Sequence, residues 1–298
     1  MVGILIARSC HPAELPMIVA SLDEEFIHRR QRSLSLALRY PKAFAPDAKL
    51  LVCETGGQIV SALVVRPIDL FDGQYAWHGA MIGMVHTQPA WRGRGSASFL
   101  LRETAEILRA EALDFAVLWS RQSGFYARLG WTNADRSVFG TLDIDFVEPK
   151  QEVFAGVVPT ASVAARIEAI RTCHGRTLVA RTPTDYASIP LPAENVFAIF
   201  HNEGSADAYA LIGKWGAVTI IFEMCGTDAS MQHIWKSIRE SSRQIWINDE
   251  AGSSSYQWFS HNADVNWESR NFAMWLPLSQ DIPPRFWDRL HLPFFDRI

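Results

Sequence analysis

The sequence contains few cysteines, and those it has do not cluster. Cys10, Cys53, Cys173 and Cys225 lie far apart in the 298-residue chain, and no pair has Cys-x-x-Cys spacing. Widely separated cysteines argue against a scaffold held by disulfides, and the missing spacing argues against a cysteine zinc site. We therefore expect free thiols, as in a reducing cytosol, and no metal site.

Long apolar runs and an excess of basic residues are also lacking. No apolar stretch approaches the ~18 residues of a membrane-spanning helix, and the first residues lack the basic region and cleavage site of a secretory signal. Lys and Arg number 28 against 32 Asp and Glu, a net charge of −4, whereas nucleic-acid binding normally requires a basic surface. These features predict a cytoplasmic protein that binds neither membranes nor nucleic acid and acts on a small molecule or a protein.

The chain does contain enough apolar sequence for two domains. Hydrophobic residues make up 48% of its 298 residues, which suffices for two cores of ordinary size. The segment Pro149–Val158 has the composition of a linker, so we expect one domain over 1–148 and a second over 149–298. In each half, helices precede a hairpin, a third strand, and then a helix and another strand, which predicts α/β (α+β) domains in tandem.

The first half is organised around a glycine-containing turn between a strand and a helix. The apolar run Tyr75–Thr87 predicts the strand, and leucines and alanines at three-to-four spacing predict a helix over Gly95–Glu111. The intervening residues 92–97, here called the cradle, contain two glycines, which let an anion approach the unpaired N–H groups of a helix N-terminus. The cradle is typical of a phosphate site; the alternative is a tight turn with two solvated arginines.

Two motifs resemble the GNAT superfamily of acyl-CoA-dependent N-acyltransferases. Arg92-x-x-Gly95-x-Ala97 is similar to the family's Gln/Arg-x-x-Gly-x-Gly/Ala signature, and Phe125-Tyr126-x-x-Leu129-Gly130-Trp131 is similar to its Phe-Tyr-x-x-Leu-Gly-Phe element. The resemblance implies a mixed, mostly antiparallel sheet flanked by helices, with acetyl-CoA as co-substrate. It implies that the strand end binds the pantetheine arm through Val85, His86 and Thr87. The pyrophosphate would bind to the cradle, formed by Arg92, Gly93, Arg94, Gly95, Ser96 and Ala97.

Tyr126 matches the tyrosine that donates a proton to the departing CoA thiolate in many family members. A phenol with an ordinary pKa near ~10 is protonated at neutral pH, so it can serve as an acid and serves poorly as a base. The alternative is a buried tyrosine that only packs the short helix against the sheet.

The general base is not evident from the family pattern. Many members use a carboxylate on the strand before the cradle, and Tyr75–Thr87 contains no Asp or Glu. His78 and His86 lie on this strand, and an unperturbed histidine pKa near ~6.5 suits proton abstraction, although a lone strand histidine can also be purely structural. Glu25 and His28, where the family usually forms its substrate rim, are further candidates.

The second half repeats the order of elements but not the cradle. Between its third strand and the next helix the chain reads Gly226-Thr227-Asp228-Ala229-Ser230, and the Asp228 carboxylate would oppose a phosphate. We therefore interpret 149–298 as a degenerate GNAT-like domain that lacks the pyrophosphate loop and shapes the substrate site.

Aromatic residues are concentrated in this half. Seven of the eleven tryptophans lie there, and they either line a substrate pocket or fill the core. The C-terminal segment Asp281–Ile298 is too apolar for a free tail, so we expect it to dock on one of the domains.

The resemblance as a whole implies an N-acetyltransferase. Such an enzyme moves an acetyl or short acyl group from CoA to a primary amine by direct attack in a ternary complex. The acceptor would be a small-molecule or peptide amine. The missing carboxylate base and the degenerate second half leave an alternative of another class, a non-catalytic acyl-CoA-binding regulatory or interaction protein.

Overall fold

The computed structural model describes residues 4–32, 34–71, 75–144, 156–175, 178–190, 192–203, 206–280, 282 and 291–298. The chain forms two compact units. The first comprises Met1–Asp135, Phe272–Arg289 and Ile298, and the second comprises Arg136–Asn271 and Leu290–Arg297. No helix in these described ranges is long and apolar enough to cross a membrane.

Helices and strands are numbered along the chain. The helices are α1 (Leu15–Phe26), α2 (Leu36–Arg39), α3 (Ser96–Ala110), α4 (Ser123–Ala127), α5 (Ala161–Cys173), α6 (Pro183–Tyr186), α7 (Asp228–Glu240) and α8 (Ser254–Asn262). The strands are β1 (Ile6–Ser9), β2 (Lys49–Thr55), β3 (Gln58–Phe71), β4 (Ala76–Thr87), β5 (Phe115–Trp119), β6 (Thr132–Asn133), β7 (Ser137–Asp143), β8 (Asn195–Glu203), β9 (Ala206–Trp215), β10 (Val218–Cys225), β11 (Gln244–Glu250), β12 (Asn266–Ser269) and β13 (Ala273–Pro277).

The first unit contains a seven-stranded sheet in the order β1-β2-β3-β4-β5-β13-β6. Strands β1 to β4 pair antiparallel with their neighbours, while β4 and β5 run parallel because helix α3 crosses between them. One face of α3 packs on the sheet through Leu100, Leu101 and Leu108, which are at most 1% exposed. The apolar spacing that predicts α3 is therefore the spacing that buries it.

The parallel pairing between β4 and β5 is short. It joins only Gly79–Met81 to Phe115–Val117. At its start a Cβ on Gly79 would lie 2.3 Å from the Phe115 ring, so the two strands approach this closely only with glycine at that position. Beyond Met81, the edge of β4 that faces β5 has no paired strand among the described residues.

The second unit contains a six-stranded sheet in the order β12-β7-β11-β10-β9-β8. Its parallel pair is β10 with β11, and helix α7 crosses between them. Helix α7 buries Ile234, Trp235 and Ile238 against the sheet, each at most 1% exposed. The element order strand, helix, parallel strand thus occurs in each unit, which confirms the tandem arrangement of two mixed, mostly antiparallel sheets.

Each unit contains a strand from the other half of the sequence. Strand β7 pairs with β11 and β12 in the second unit, and β13 pairs with β5 and β6 in the first. This division differs from the expected contiguous domains 1–148 and 149–298, because the sequence pattern of a strand does not name its pairing partner. The expected boundary and residues 145–155 of the expected linker lie outside the described residues.

Two further expectations have clear outcomes. The sequence before Pro41 predicts a helix over Gln31–Tyr40. The structure forms only α2 there, because Gln31 has a positive φ of 55° and Ser35 caps α2 through a hydrogen bond from the Ala37 N–H. Trp235 and Trp275, both 1% exposed, fill cores, which favours the packing interpretation for these two tryptophans.

Candidate active site

The cradle lies at the N-terminus of α3, a helix of 15 residues. Gly93 and Gly95 have positive φ values of 74° and 86°, a conformation that L-residues adopt at a cost in strain. A Cβ placed on either glycine would meet nothing within 4 Å. Gly95 is the N-cap and no side chain caps the helix, so the first N–H groups of α3 have no capping acceptor, as an anion site requires.

A chain of hydroxyl groups joins the end of β4 to the start of α3. The Thr87 and Ser61 hydroxyls lie 2.9 Å apart, and the Ser61 hydroxyl donates to Ser96 at 2.9 Å. Ser61 and Ser96 are each 1% exposed. These buried hydrogen bonds fix the cradle relative to the strand that precedes it.

The cradle arginines have local partners. Arg92 donates from Nε to the Thr87 carbonyl at 3.0 Å and from Nη2 to the Glu25 carboxylate at 2.8 Å, while the Arg94 guanidinium lies 5.2 Å from the centre of the Trp91 ring. Arg29 also donates to Glu25, at 2.9 Å. Burial acts to raise the pKa of the Glu25 carboxyl, but the hydrogen bond and charge of Arg92 outweigh it and lower that pKa.

Strand β4 is bulged just before the cradle. Its register with β3 shifts between Ala62 and Val64, where β4 carries one extra residue, and Met84 takes a positive φ of 53°. The edge left unpaired beyond Met81 includes the predicted pantetheine-binding residues 85–87. The bulge and the unpaired edge together leave backbone groups of β4 available to an extended ligand.

Residue Ile298 lies against this bulge. A Cβ on Gly83 would lie 2.9 Å from the backbone oxygen of Ile298, so glycine permits the close approach of the two backbones. The C-terminal residue therefore docks beside β4. The remainder of the predicted docking segment includes residues 281 and 283–290, which lie outside the described residues.

Tyr126 lies on α4 and is buried, with 7% of its surface exposed. Its ring packs edge-on against Phe125 and Trp131, with centroids 4.9 and 6.1 Å away. Burial raises the pKa of the Tyr126 phenol to about 12, although a hydrogen bond with Ser120 acts to lower it. The phenol therefore stays protonated at neutral pH, as an acid must, and it also belongs to the core.

His86 is the buried histidine of β4, 7% exposed. Its Nε2 lies 3.0 Å from the Ser21 hydroxyl on α1, and its buried Nδ1 has no hydrogen-bond partner within the described ranges. Burial lowers the pKa of the imidazole below its ordinary value; the Glu25 carboxylate acts to raise it, and Arg92 acts with burial. The imidazole is therefore neutral at pH 7 and has one nitrogen without a partner.

The other two candidate histidines lie apart from this group. His78 is on the exposed end of β4, nine residues before Thr87, or about 30 Å along a strand, and its Nδ1 is 2.8 Å from the Asp69 carboxylate. That hydrogen bond raises the pKa of His78. His28 is exposed and its Nδ1 lies 3.3 Å from Glu24. The structure thus brings together Glu25, His86 and Arg92.

Ser21 is the site residue that the sequence did not point out. Its spacing gives a signal in retrospect, because Ser21 and Glu25 are four residues apart and so share one face of α1. Among the described residues, no group of three or more His, Cys, Asp or Glu side chains could hold a metal ion.

The matching position in the second unit is built differently. At the start of α7 the Thr227 hydroxyl accepts the Ser230 N–H at 3.4 Å, so a side chain of the protein caps the helix, and Asp228 adds negative charge to its first turn. Both features oppose a phosphate there. They support the interpretation of this unit as degenerate.

Comparison with known proteins agrees with these observations. Residues 7–134 match the family model of the acetyltransferase (GNAT) domain. No curated protein matches the sequence.

Similar solved structures cover nearly the whole chain. A probable N-acyltransferase of unknown function from Enterococcus faecalis shares 14% identity, covering 92% of this chain and 72% of its own, with a TM-score of 0.70. A GCN5-related N-acetyltransferase from Anabaena variabilis shares 13% identity, covering 93% of this chain and 73% of its own, also with a TM-score of 0.70. A tandem GNAT protein from the clavulanic acid biosynthesis pathway shares 12% identity, covering 94% of this chain and 100% of its own, with a TM-score of 0.57.

These likenesses establish the fold, and the family model matches residues 7–134, less than half of the chain. GNAT domains use acetyl-CoA, and their acceptors are generally amines. The chain therefore has the fold of tandem GNAT proteins, and its residues 7–134 match the GNAT acetyltransferase domain.

Proposed function

We propose that this chain is an N-acetyltransferase that transfers an acetyl or short acyl group from CoA to a primary amine in a ternary complex. One observation carries the proposal: an uncapped helix N-terminus with two open, positive-φ glycines directly follows a bulged strand with an unpaired edge. An anion site that lies next to an unpaired strand edge suits a ligand that has both a pyrophosphate and an amide-containing arm.

The residues present fit acetyl-CoA. The N–H groups of residues 93–97 and the side chains of Arg92 and Arg94 would hold the pyrophosphate, and the backbone of Val85, His86 and Thr87 would hold the pantetheine arm. When bound, acetyl-CoA supplies an acetyl thioester, whose carbonyl carbon bonds to the amine nitrogen while its bond to sulfur breaks.

His86 is the residue we assign to proton removal. An amine attacks only without its extra proton, and a neutral, buried imidazole with a lone pair at Nδ1 can accept that proton. Ser21 holds the ring from Nε2, and Glu25 stabilises the imidazolium that forms. His78 has no place in this assignment because it lies at the far end of β4.

Tyr126 is assigned to proton donation. A phenol with a pKa of about 12 is fully protonated at pH 7 and can protonate the leaving thiolate. Its packing against Phe125 and Trp131 restricts the ring, so the hydroxyl keeps one position.

Replacement of Tyr126 by phenylalanine tests the acid role. Loss of a general acid typically costs about 10²- to 10⁴-fold, so the variant should lose turnover in an amine-dependent thiol-release assay and still bind acetyl-CoA with unchanged Kd. Tyr256→Phe removes a phenolic hydroxyl in the second unit and is the matched control.

The outcomes separate the two classes of function. Wild-type turnover in Tyr126→Phe would remove Tyr126 from the acid role, and wild-type turnover in His86→Gln would remove His86 from the base role. Acetyl-CoA binding without thiol release across a broad panel of amines would instead identify a non-catalytic acyl-CoA-binding protein.

A further inference from the structure

A pocket lies between α1, the start of β3 and the end of β4. More than half of its lining is apolar: five of the nine residues are Met, Ile, Val or Ala, and the other four are Ser21, Ser61, His86 and Gln88. Its apolar walls are formed by Met17, Ile18, Ile59, Val60 and Ala62. Pockets that bind small molecules have this composition, with an apolar lining and a few polar groups that orient the ligand.

The polar groups of the pocket are engaged by the protein, with one exception. Ser61 bonds with Thr87 and Ser96, and the Gln88 side chain donates to the Ile59 carbonyl at 2.6 Å. Ser21 bonds with Nε2 of His86. The Nδ1 of His86 is left, buried and without a partner in the described part of the chain.

The identity of that nitrogen fixes the kind of group that can bind it. When the Ser21 hydroxyl accepts the Nε2 proton, the neutral imidazole presents a lone pair at Nδ1. A buried acceptor without a partner is costly, so a ligand that donates an N–H to it gains a hydrogen bond the free protein lacks. Amines donate such a bond, whereas carboxylates and ethers do not.

The charges around the pocket limit the number of ammonium groups. None of the nine lining residues is Asp or Glu. The carboxylate that acts on His86 is Glu25, and it is already bonded to both Arg29 and Arg92, at 2.9 and 2.8 Å. A second ammonium on the ligand would therefore enter an apolar space without a counter-ion, which is strongly unfavourable.

We propose that this pocket holds the acceptor, and that the acceptor is a monoamine whose remaining body is a compact apolar group. The amine donates to Nδ1 of His86 and the apolar group contacts Met17, Ile18 and Ile59. Diamines and polyamines are poor substrates. This inference rests on the proposed acetyl transfer and names its substrate class.

Two amines of equal chain length test the charge limit. Pentylamine and 1,5-diaminopentane differ only by a second amino group. We expect kcat/KM for pentylamine to exceed that for the diamine by at least about 10-fold, because the second amine must be buried either charged or at the cost of its proton. Equal values for the two amines would overturn the inference.

A substitution in the wall of the pocket tests whether the acceptor binds there. Met17 is 56% exposed, so Met17→Asp should fold and place a carboxylate beside the pocket, which should reduce the pentylamine preference at least about 5-fold. Leu38→Asp, at a 66% exposed residue of α2 that does not line the pocket, is the matched control and should leave the preference unchanged. An unchanged preference in Met17→Asp would place the acceptor elsewhere.

A binding measurement without acetyl-CoA separates this inference from the function on which it rests. Pentylamine should raise the thermal midpoint of the wild-type protein, and 1,5-diaminopentane should raise it less. If the midpoint rises but no amine releases thiol, the pocket is supported and acetyl transfer is overturned. If other amines are acetylated while pentylamine neither binds nor reacts, acetyl transfer stands and the substrate class is wrong.

Discussion

Replacement of Gly95 by glutamate puts a side chain and a negative charge into the cradle. Gly95 is the N-cap of α3 with a φ of 86°, and its missing Cβ faces open space. The substitution therefore causes no clash within the protein. Its cost to folding is the strain of a non-glycine residue at positive φ, about 1–2 kcal/mol.

The cost to cofactor binding is much larger. A carboxylate about 4 Å from a phosphate charge, at an effective dielectric constant of about 20, is repelled by about 4 kcal/mol, roughly a 1,000-fold increase in Kd. The side chain also blocks the approach to the N–H groups. We therefore expect Gly95→Glu to weaken CoA binding at least about 100-fold while lowering stability only modestly.

Titration calorimetry with CoA and a thermal unfolding scan measure the two effects on the same samples. Gly216→Glu is the matched control, because Gly216 has a positive φ of 54°, equally open surroundings and a position in the second unit. Like Gly95→Glu, it should unfold at a lower temperature than the wild type, but it should bind CoA normally. Normal CoA binding by Gly95→Glu would refute the assignment of the cradle.

Two further predictions concern titration and burial. The kcat/KM for acetyl transfer should fall as pH falls through the pKa of His86, which burial places below its ordinary ~6.5. Above that pKa the kcat/KM should stay level, because Tyr126 ionises only near about 12. A pH–rate profile with an acid limb centred above 7 would exclude His86 as the base. Arg181 donates to Asp296 at 2.6 and 2.8 Å and pairs with Glu223 at 2.6 Å, all three side chains at most 4% exposed. Arg181→Met should therefore destabilise the second unit by about 3–5 kcal/mol. Hydrogen exchange should show this as a loss of amide protection in β10. Unchanged protection would mean that the carboxylates find other partners.

The local elements of both units follow from short-range patterns. The apolar spacing over Gly95–Glu111 predicts α3 within one residue at each end. The cradle is equally local, because its glycines, the strand before it and the helix after it lie within one stretch of sequence. The helix predicted over Gln31–Tyr40 is shorter in the structure, because Gln31 has a positive φ and α2 begins only after its N-cap Ser35.

The contacts between distant residues could not be predicted in the same way. Strand β13 pairs with β5, more than 150 residues earlier in the chain, and alternation of apolar residues indicates that a strand has a buried face without naming its neighbour. The ion pairs of Arg181 could not be predicted for the same reason. Arg181 lies between α5 and α6, whereas Glu223 is on β10 and Asp296 is in the C-terminal segment.

The sequence by itself determined the family resemblance, the cradle and the acid candidate Tyr126, because each depends on residues a few positions apart. The tertiary structure decided which histidine stands beside Glu25 and Arg92, and it placed Ser21 against His86. Three elements that are separate in the sequence, α1, β3 and β4, line the pocket beside these charges. Burial then sets the pKa of His86, and burial is a property of the packed fold that no single segment specifies.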